Sequence, residues 1–269
     1  MDGFRRANLA WWNEAVEVHM ASSLYRVDEF RAGGSSLKWL EIEELGDVSG
    51  RRMLHLQCHF GLDTLSWARR GARVTGVDFS QVAVARAREL AAETGIGARF
   101  ICSEISTLPE VLDEEFDIVF TSYGALYWLP DIHDWASIVA RYLAPGGTFY
   151  IAELHPFGSV FDGDDPDVGE FRLKYPYFHS PEPLADDTPD YADPSAAFAS
   201  KTTYGWTHPI GEVVSALIAA GLRIEFLHEF PFSVYHQLPF LAQDDDGLWR
   251  APEGMTPMPL VFSIRASKE

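Results

Sequence analysis

Asp78 closes a short apolar run, Arg73-Val74-Thr75-Gly76-Val77, and carries the clearest chemical signal in the chain. A carboxylate at such a strand end can accept two charge-assisted hydrogen bonds from a ribose diol, which neutral side chains do less well. Seventeen residues separate it from Gly61, near the roughly 20 expected between a nucleotide-binding turn and its ribose-binding acid. Phe79 offers an apolar face for an adenine ring and Ile105 the opposite one, while Glu104 can accept from the adenine amino group. The plainer alternative makes Asp78 a strand-end acid that helps cap the helix after Ser80. Upstream, the turn Gln57-Cys58-His59-Phe60-Gly61 contains one glycine. A dinucleotide site needs G-x-G-x-x-G so that the backbone can approach a pyrophosphate. Bulky side chains at 57 and 59 block that approach, and Asp63 at the start of the next helix repels phosphate. The expected ligand therefore contains adenosine and no phosphate.

These residues need strands that end at one edge. Met53–Gln57, Arg73–Val77, Arg99–Cys102, Phe116–Thr121 and Thr148–Leu154 read as short apolar strands. Helical patterns alternate with them: residues 62–70 stopped by Gly71, Ser80 to about Thr94 stopped by Gly95, and Asp131 to about Leu143. Pro145-Gly146-Gly147 forces a turn before the fifth strand. Such alternation predicts a parallel sheet covered on both faces. Near the end, Ile210, Val213, Val214, Leu217 and Ile218 share one helix face. Two more strands follow, Leu222–Phe230 and Leu260–Ala266, joined by a polar loop with Asp244-Asp245-Asp246. The final strand is expected to be antiparallel. In such open sheets ligands bind beyond the carboxyl ends of the strands, where strand order switches.

The 269 residues suit one α/β domain with an insertion as well as two small domains. A formal net charge of −19 repels phosphate backbones and anionic lipids, which argues against nucleic-acid and membrane partners. No apolar run reaches a membrane span, and the start of the chain has no apolar signal core. Cys58 and Cys102 cannot build a disulfide framework and are expected to be small buried residues. A cytoplasmic location follows as the expectation. Oligomeric state is not legible.

Three segments together carry a family resemblance: LHLQCHFGLDTLSWARRGARVTGVDFS, FDIVFTSYGALYWLPD and LAPGGTFYIAE. They resemble motif I, the motif-II acid, motif IV and the strand after the motif-IV helix of class I S-adenosylmethionine-dependent methyltransferases. The chain also resembles a group of bacterial small-molecule methyltransferases with the same LHLQCHFG variant. The likeness covers roughly residues 49–156 and extends weakly over 205–269. It implies a doubly wound, mostly parallel seven-stranded α/β sheet. It implies S-adenosyl-L-methionine as cofactor, and methyl transfer to an N, O, S or C atom of a small molecule. In motif I, His55 stands where the family has an acid, Gln57 and His59 stand where it has glycines, and Gly61 alone matches. The resemblance further implies that Asp78 binds ribose, with Phe79, Glu104 and Ile105 around adenine. Gln57 and Gly61 would line the methionine tail, and Ser122 and Tyr123 would face the sulfonium.

Residues 1–48 read as a cap over the cofactor. Residues 49–269 form the core, interrupted by a substrate lid at 157–204 that is rich in Asp, Pro and aromatic residues. Phe157, Phe161, Phe171, Tyr175, Tyr177, Phe178, Tyr191, Tyr204 and Trp206 are candidates for an aromatic-walled pocket, which favours cations and flat rings. A general base is needed only when the acceptor carries a proton. Its candidates are His155, Glu153, His19 and Tyr123, with His155 preferred because it follows the fifth strand. His55 and His59 make a poor metal pair, and no metal is expected. Two rival functions remain at this stage. The single-glycine turn argues against a nicotinamide-dependent oxidoreductase. The altered motif I favours a non-catalytic S-adenosylmethionine-binding protein.

Overall fold

Strand β1 (Arg52–Leu56) is buried along all but its first residue, as a central strand covered on both faces must be. Its side chains alternate: Leu54 and Leu56 enter one apolar cluster and Met53 enters another. Around it run β2 (Arg73–Asp78), β3 (Arg99–Cys102), β4 (Phe116–Ser122), β5 (Leu143–Leu154), β6 (Leu222–Phe230) and β7 (Val261–Lys268). The spatial order is β3-β2-β1-β4-β5-β7-β6 in this computed structural model, which describes residues 2–269. The first five strands pair in parallel, and β7 runs antiparallel to both β5 and β6. The chain reverses direction across the sheet between β1 and β4, so a crevice opens beyond their carboxyl ends.

The helices are α1 (Gly3–Ala21), α2 (Val27–Arg31), α3 (Trp39–Leu45), α4 (Leu62–Arg69), α5 (Gln81–Thr94), α6 (Ile132–Tyr142) and α7 (Ile210–Ala219). Helix α5 begins and ends where its caps dictate. Ser80 Oγ accepts from Ala83 N, and Gly95 ends the helix in the left-handed region with φ of 67°. Asp131 caps α6 by accepting from His133 N and Asp134 N. Helices α6 and α7 bury Trp135, Val139, Val213 and Leu217 against one sheet face. On the other face, α3 and α4 bury Leu40 and Trp67.

Three expectations are corrected. Cys102 is exposed, because it ends the edge strand β3, which has a neighbour on one side only. The segment between β6 and β7 is more than a polar loop. It folds a small antiparallel sheet from Phe232–Ser233, Ala242–Gln243 and Trp249–Arg250. Strand β5 begins earlier than expected, at Leu143. The Pro145-Gly146-Gly147 turn survives as an irregularity that shifts its register on β4.

The insertion is tied down by α1. Asn8, 2% exposed, donates to Tyr204 O at 2.7 Å and accepts from Tyr204 N at 2.8 Å, so its amide extends the Thr203–Gly205 strand like a backbone. Glu14 accepts from Ala199 N and Ser200 N. His19 Nε2 meets Asp190 Oδ2 at 2.8 Å, with both side chains fully buried. Gly205 is required here: a Cβ would fall 1.9 Å from Cζ of Tyr127.

Candidate functional site

A cavity of about 1150 Å³ opens at the switch point, between the carboxyl ends of the strands, α1 and the insertion. At its floor is the 57–61 turn. Gln57, His59 and Gly61 all have left-handed backbone, with φ of 58°, 51° and 83°. That region costs a residue with a Cβ about 1–2 kcal/mol, so the surroundings must hold it. Gln57 Nε2 donates to Ala125 O at 2.7 Å, and His59 N donates to Asp78 Oδ2 at 2.8 Å. At Gly61 a Cβ would lie 2.8 Å from the Phe100 ring, so this one position admits glycine alone. The turn thus keeps a glycine-type backbone path with side chains at two of three positions.

His59 and His55 go to different places. His59 packs among Trp12, His19, Tyr25 and Phe60. Burial pushes its pKa well down, so it is neutral, and its buried Nε2 has no partner. His55 lies on the Phe120 side of the sheet, its Nδ1 2.8 Å from Thr64 Oγ1 and its Nε2 3.3 Å from Ser122 Oγ. Burial pushes it down to about 4. Ser122 Oγ donates to Asp63 Oδ2 at 2.9 Å. The neutral His55 ring must therefore donate from Nε2 to Ser122 and accept at Nδ1 from Thr64. The second oxygen of Asp63 accepts from Ser36 Oγ at 2.5 Å. A carboxylate with neutral hydroxyl partners thus faces the cavity one residue into α4.

Asp78 occupies the other end of the turn. It is 7% exposed, and its two oxygens accept from His59 N and Ser80 N, each at 2.8 Å. Burial raises its pKa to about 6 against the pull of those N–H groups. Phe79, Ile105 and Glu104 line the same end. One oxygen of Glu104 is engaged by Arg5 Nη1 at 2.8 Å, so α1 closes over this end.

His155 is corrected as a candidate base. Leu154 and Pro156 line the cavity wall, whereas His155, just past the end of β5, is 3% exposed and turned to other partners. Its Nε2 meets Glu229 Oε1 at 2.8 Å, and its Nδ1 accepts from Phe157 N at 3.0 Å, so both nitrogens are committed. Glu153 is equally occupied. It accepts from the backbone N–H groups of Gly124, Ala125, Leu126 and Leu154 and so fixes the cavity rim. His19 is sealed by Asp190. Tyr123 lines the cavity, but burial and the nearby Glu41 push its phenol well up, so it is neutral.

The insertion divides its aromatic residues. Phe161, Tyr175, Tyr191 and Trp206 line the cavity. Phe157, Phe171 and Tyr177 pack with Phe161 in a satellite cluster that includes Leu238, Leu241 and Leu260. Phe178 is 76% exposed and belongs to neither. Sequence reasoning missed three wall residues beyond the insertion: Tyr127, Trp128 and Tyr235. It also read Asp63 only as a phosphate repellent. The signal was available, since the acid absent at position 55 reappears in the first turn of the next helix.

Residues 53–147 match the methyltransferase domain family. Over 145 residues the chain is 30% identical to a ubiquinone biosynthesis O-methyltransferase of Idiomarina loihiensis, covering 54% of this chain and 56% of that protein. A protein of the same name from Bordetella avium is 26% identical over 155 residues, 58% of this chain and 60% of that one. The chain thus spans somewhat over half the length of the curated relatives it matches. An S-adenosylmethionine-dependent methyltransferase structure from Mesorhizobium loti superposes with a TM-score of 0.59 at 20% identity, over 88% of this chain and all of that one. A glycopeptide N-methyltransferase complexed with S-adenosylmethionine gives 0.52 at 15% identity, over 93% and 95%. These likenesses establish the fold.

Proposed function

We propose that this chain, which has the class I S-adenosylmethionine-dependent methyltransferase fold and carries a methyltransferase domain over residues 53–147, moves a methyl group from S-adenosyl-L-methionine to an N, O, S or C atom of a small molecule. One observation carries the reading. Two carboxylates, Asp78 and Asp63, bracket a turn with left-handed backbone at residues 57, 59 and 61, and all of it opens on one large cavity. Asp78 suits a ribose diol and Asp63 suits an ammonium group. The buried, partnerless Gln57 Oε1 supplies one more acceptor. This donor set fits adenosine joined to an amino acid and repels a pyrophosphate, which disfavours a nicotinamide dinucleotide. Phe79 and Ile105 would sandwich adenine, and the free capacity of Glu104 would meet its amino group.

When bound, the sulfonium supplies an activated methyl group and a good leaving group. The protein's task is then alignment and exclusion of water. Trp12, Tyr127, Trp128 and Tyr235 wall the space beyond the turn, and such walls favour flat or cationic acceptors. His155, the base expected from the sequence, has both ring nitrogens committed, to Glu229 and to Phe157 N. The net charge of −19 supports a small molecule over a nucleic acid. We place this activity in the cytoplasm.

Calorimetry with S-adenosylhomocysteine tests the cofactor site. Asp63→Asn should weaken binding by about 1.5–3 kcal/mol, roughly 10- to 100-fold, as loss of a charge-assisted hydrogen bond. Unchanged affinity in that variant, or comparable binding of NAD to wild type, would overturn the assignment. Transfer of a labelled methyl group to any member of an aromatic amine and phenol library separates an enzyme from a cofactor-binding protein.

A further inference from the structure

His179, His208 and Glu212 meet where the insertion abuts α7, and their ligand-capable atoms all lie within 4.8 Å of one another. His208 is 5% exposed. Its Nε2 lies 2.8 Å from Leu129 O, a carbonyl that can only accept, so Nε2 carries the proton and Nδ1 is left as an acceptor. That Nδ1 is buried and has no partner. His179 repeats the logic: its Nδ1 donates to Thr207 O at 3.1 Å, which leaves Nε2 as the acceptor. The two rings stack with centroids 5.0 Å apart. Glu212 adds a carboxylate from the first turn of α7.

Three acceptors thus converge, and a buried acceptor left unmet is costly. Two imidazoles tautomerically fixed by backbone carbonyls are also how metal-binding histidines are oriented. We infer that His179, His208 and Glu212 bind a divalent first-row metal ion, with Zn²⁺ the best match to a two-imidazole, one-carboxylate set. His179 belongs to the insertion, His208 lies just before α7, and Glu212 lies in the first turn of α7. The ion would therefore staple the lid to the sheet domain.

The test uses the full chain, stripped with a chelator and titrated with ZnCl₂ by calorimetry. Wild type should take up one Zn²⁺ and gain resistance to proteolysis within 157–204. His179→Ala and Glu212→Gln should each weaken uptake at least tenfold and abolish the added protection. Both residues are only partly buried, so these variants should fold where His208→Ala risks not doing so. Absence of Zn²⁺ uptake by wild type overturns the inference, as does equal uptake by both variants. The readout involves no S-adenosylmethionine, so it stands or falls separately from the methyltransferase reading.

Discussion

The sheet half of the molecule and its cap–lid half are held by different forces. Between residues 52 and 154, cohesion comes from strands and helices whose side chains are apolar and fully enclosed: Leu54, Leu56, Val119, Phe149 and Ile151 are all 0% exposed. Helix α1 and the insertion pack Phe4 on Tyr204 and Trp11 on Phe198, and add polar clasps at Asn8, Glu14 and His19. Apolar burial is non-directional and tolerates small shifts, whereas a buried hydrogen-bonded pair is all or nothing. The first kind builds a rigid platform. The second fixes α1 and the insertion in one register.

Removing one partner of a buried pair gives the largest expected effect. Asp190→Ala leaves His19 enclosed without its partner and should cost about 3–5 kcal/mol of cap–lid docking. Hydrogen exchange should accelerate in α1 and 157–204 while β1, β4 and β5 keep their protection. Equal loss in the central strands would erase the distinction between the halves.

Asp78 sits on the seam. Its position at a strand end suggests that the fold would survive its loss, but its carboxylate supports His59 N and Ser80 N. Asp78→Ala should therefore lower stability by about 2–4 kcal/mol, from two buried N–H groups left unmet, and weaken S-adenosylhomocysteine as well. Asp78→Asn should fall between. A thermal melt beside calorimetry separates the two losses, and a wild-type melt for the alanine variant would remove Asp78 from the support of the turn.

The sheet half also has a named source of pH dependence. Glu41 is 1% exposed, and burial, with the nearby Asp63, raises its pKa from 4.5 to about 8. Its folded pKa exceeds its unfolded one, so its contribution is full below pH 4.5 and is lost as pH rises toward 8. Chemical denaturation across that window should show stability declining with pH in wild type, with a shallower slope in Glu41→Gln. An unchanged slope would assign the dependence to other buried acids.

Asn8→Ala is the mildest probe of the clasp. It should cost about 1–2 kcal/mol, read as faster proteolysis near residue 204 with the global melt nearly unmoved. A large global shift would mean that α1 is integral to the core.

Local chemistry made much of the fold legible. The bounds of β3 and β6, the Ser80 and Asp131 caps and the Gly95 stop follow from neighbouring residues, and the structure has them at those positions. Asp78 is at the crevice for the same reason, since a strand's end is a local property. His155 misled because the strand's end gives the edge but not the side-chain partner, and the packing of β6 supplies Glu229 to the ring. Gln57 and His59 misled because side-chain bulk suggests a blocked turn, whereas Ala125 and Asp78 hold the backbone in the left-handed region.

The sequence by itself determined the alternation of strands and helices, the caps and the acid at position 78. Each depends on residues within about one element of each other, where periodicity and backbone preference act directly. Only the tertiary structure decided the rest. It joined His19 to Asp190 across 171 residues and brought His179 beside His208 and Glu212. It also turned His55, Ser122 and Asp63 into one hydrogen-bonded chain. The pairing of distant polar groups leaves no periodic trace along a chain. Their meeting is set by how the helices and the insertion pack on the sheet.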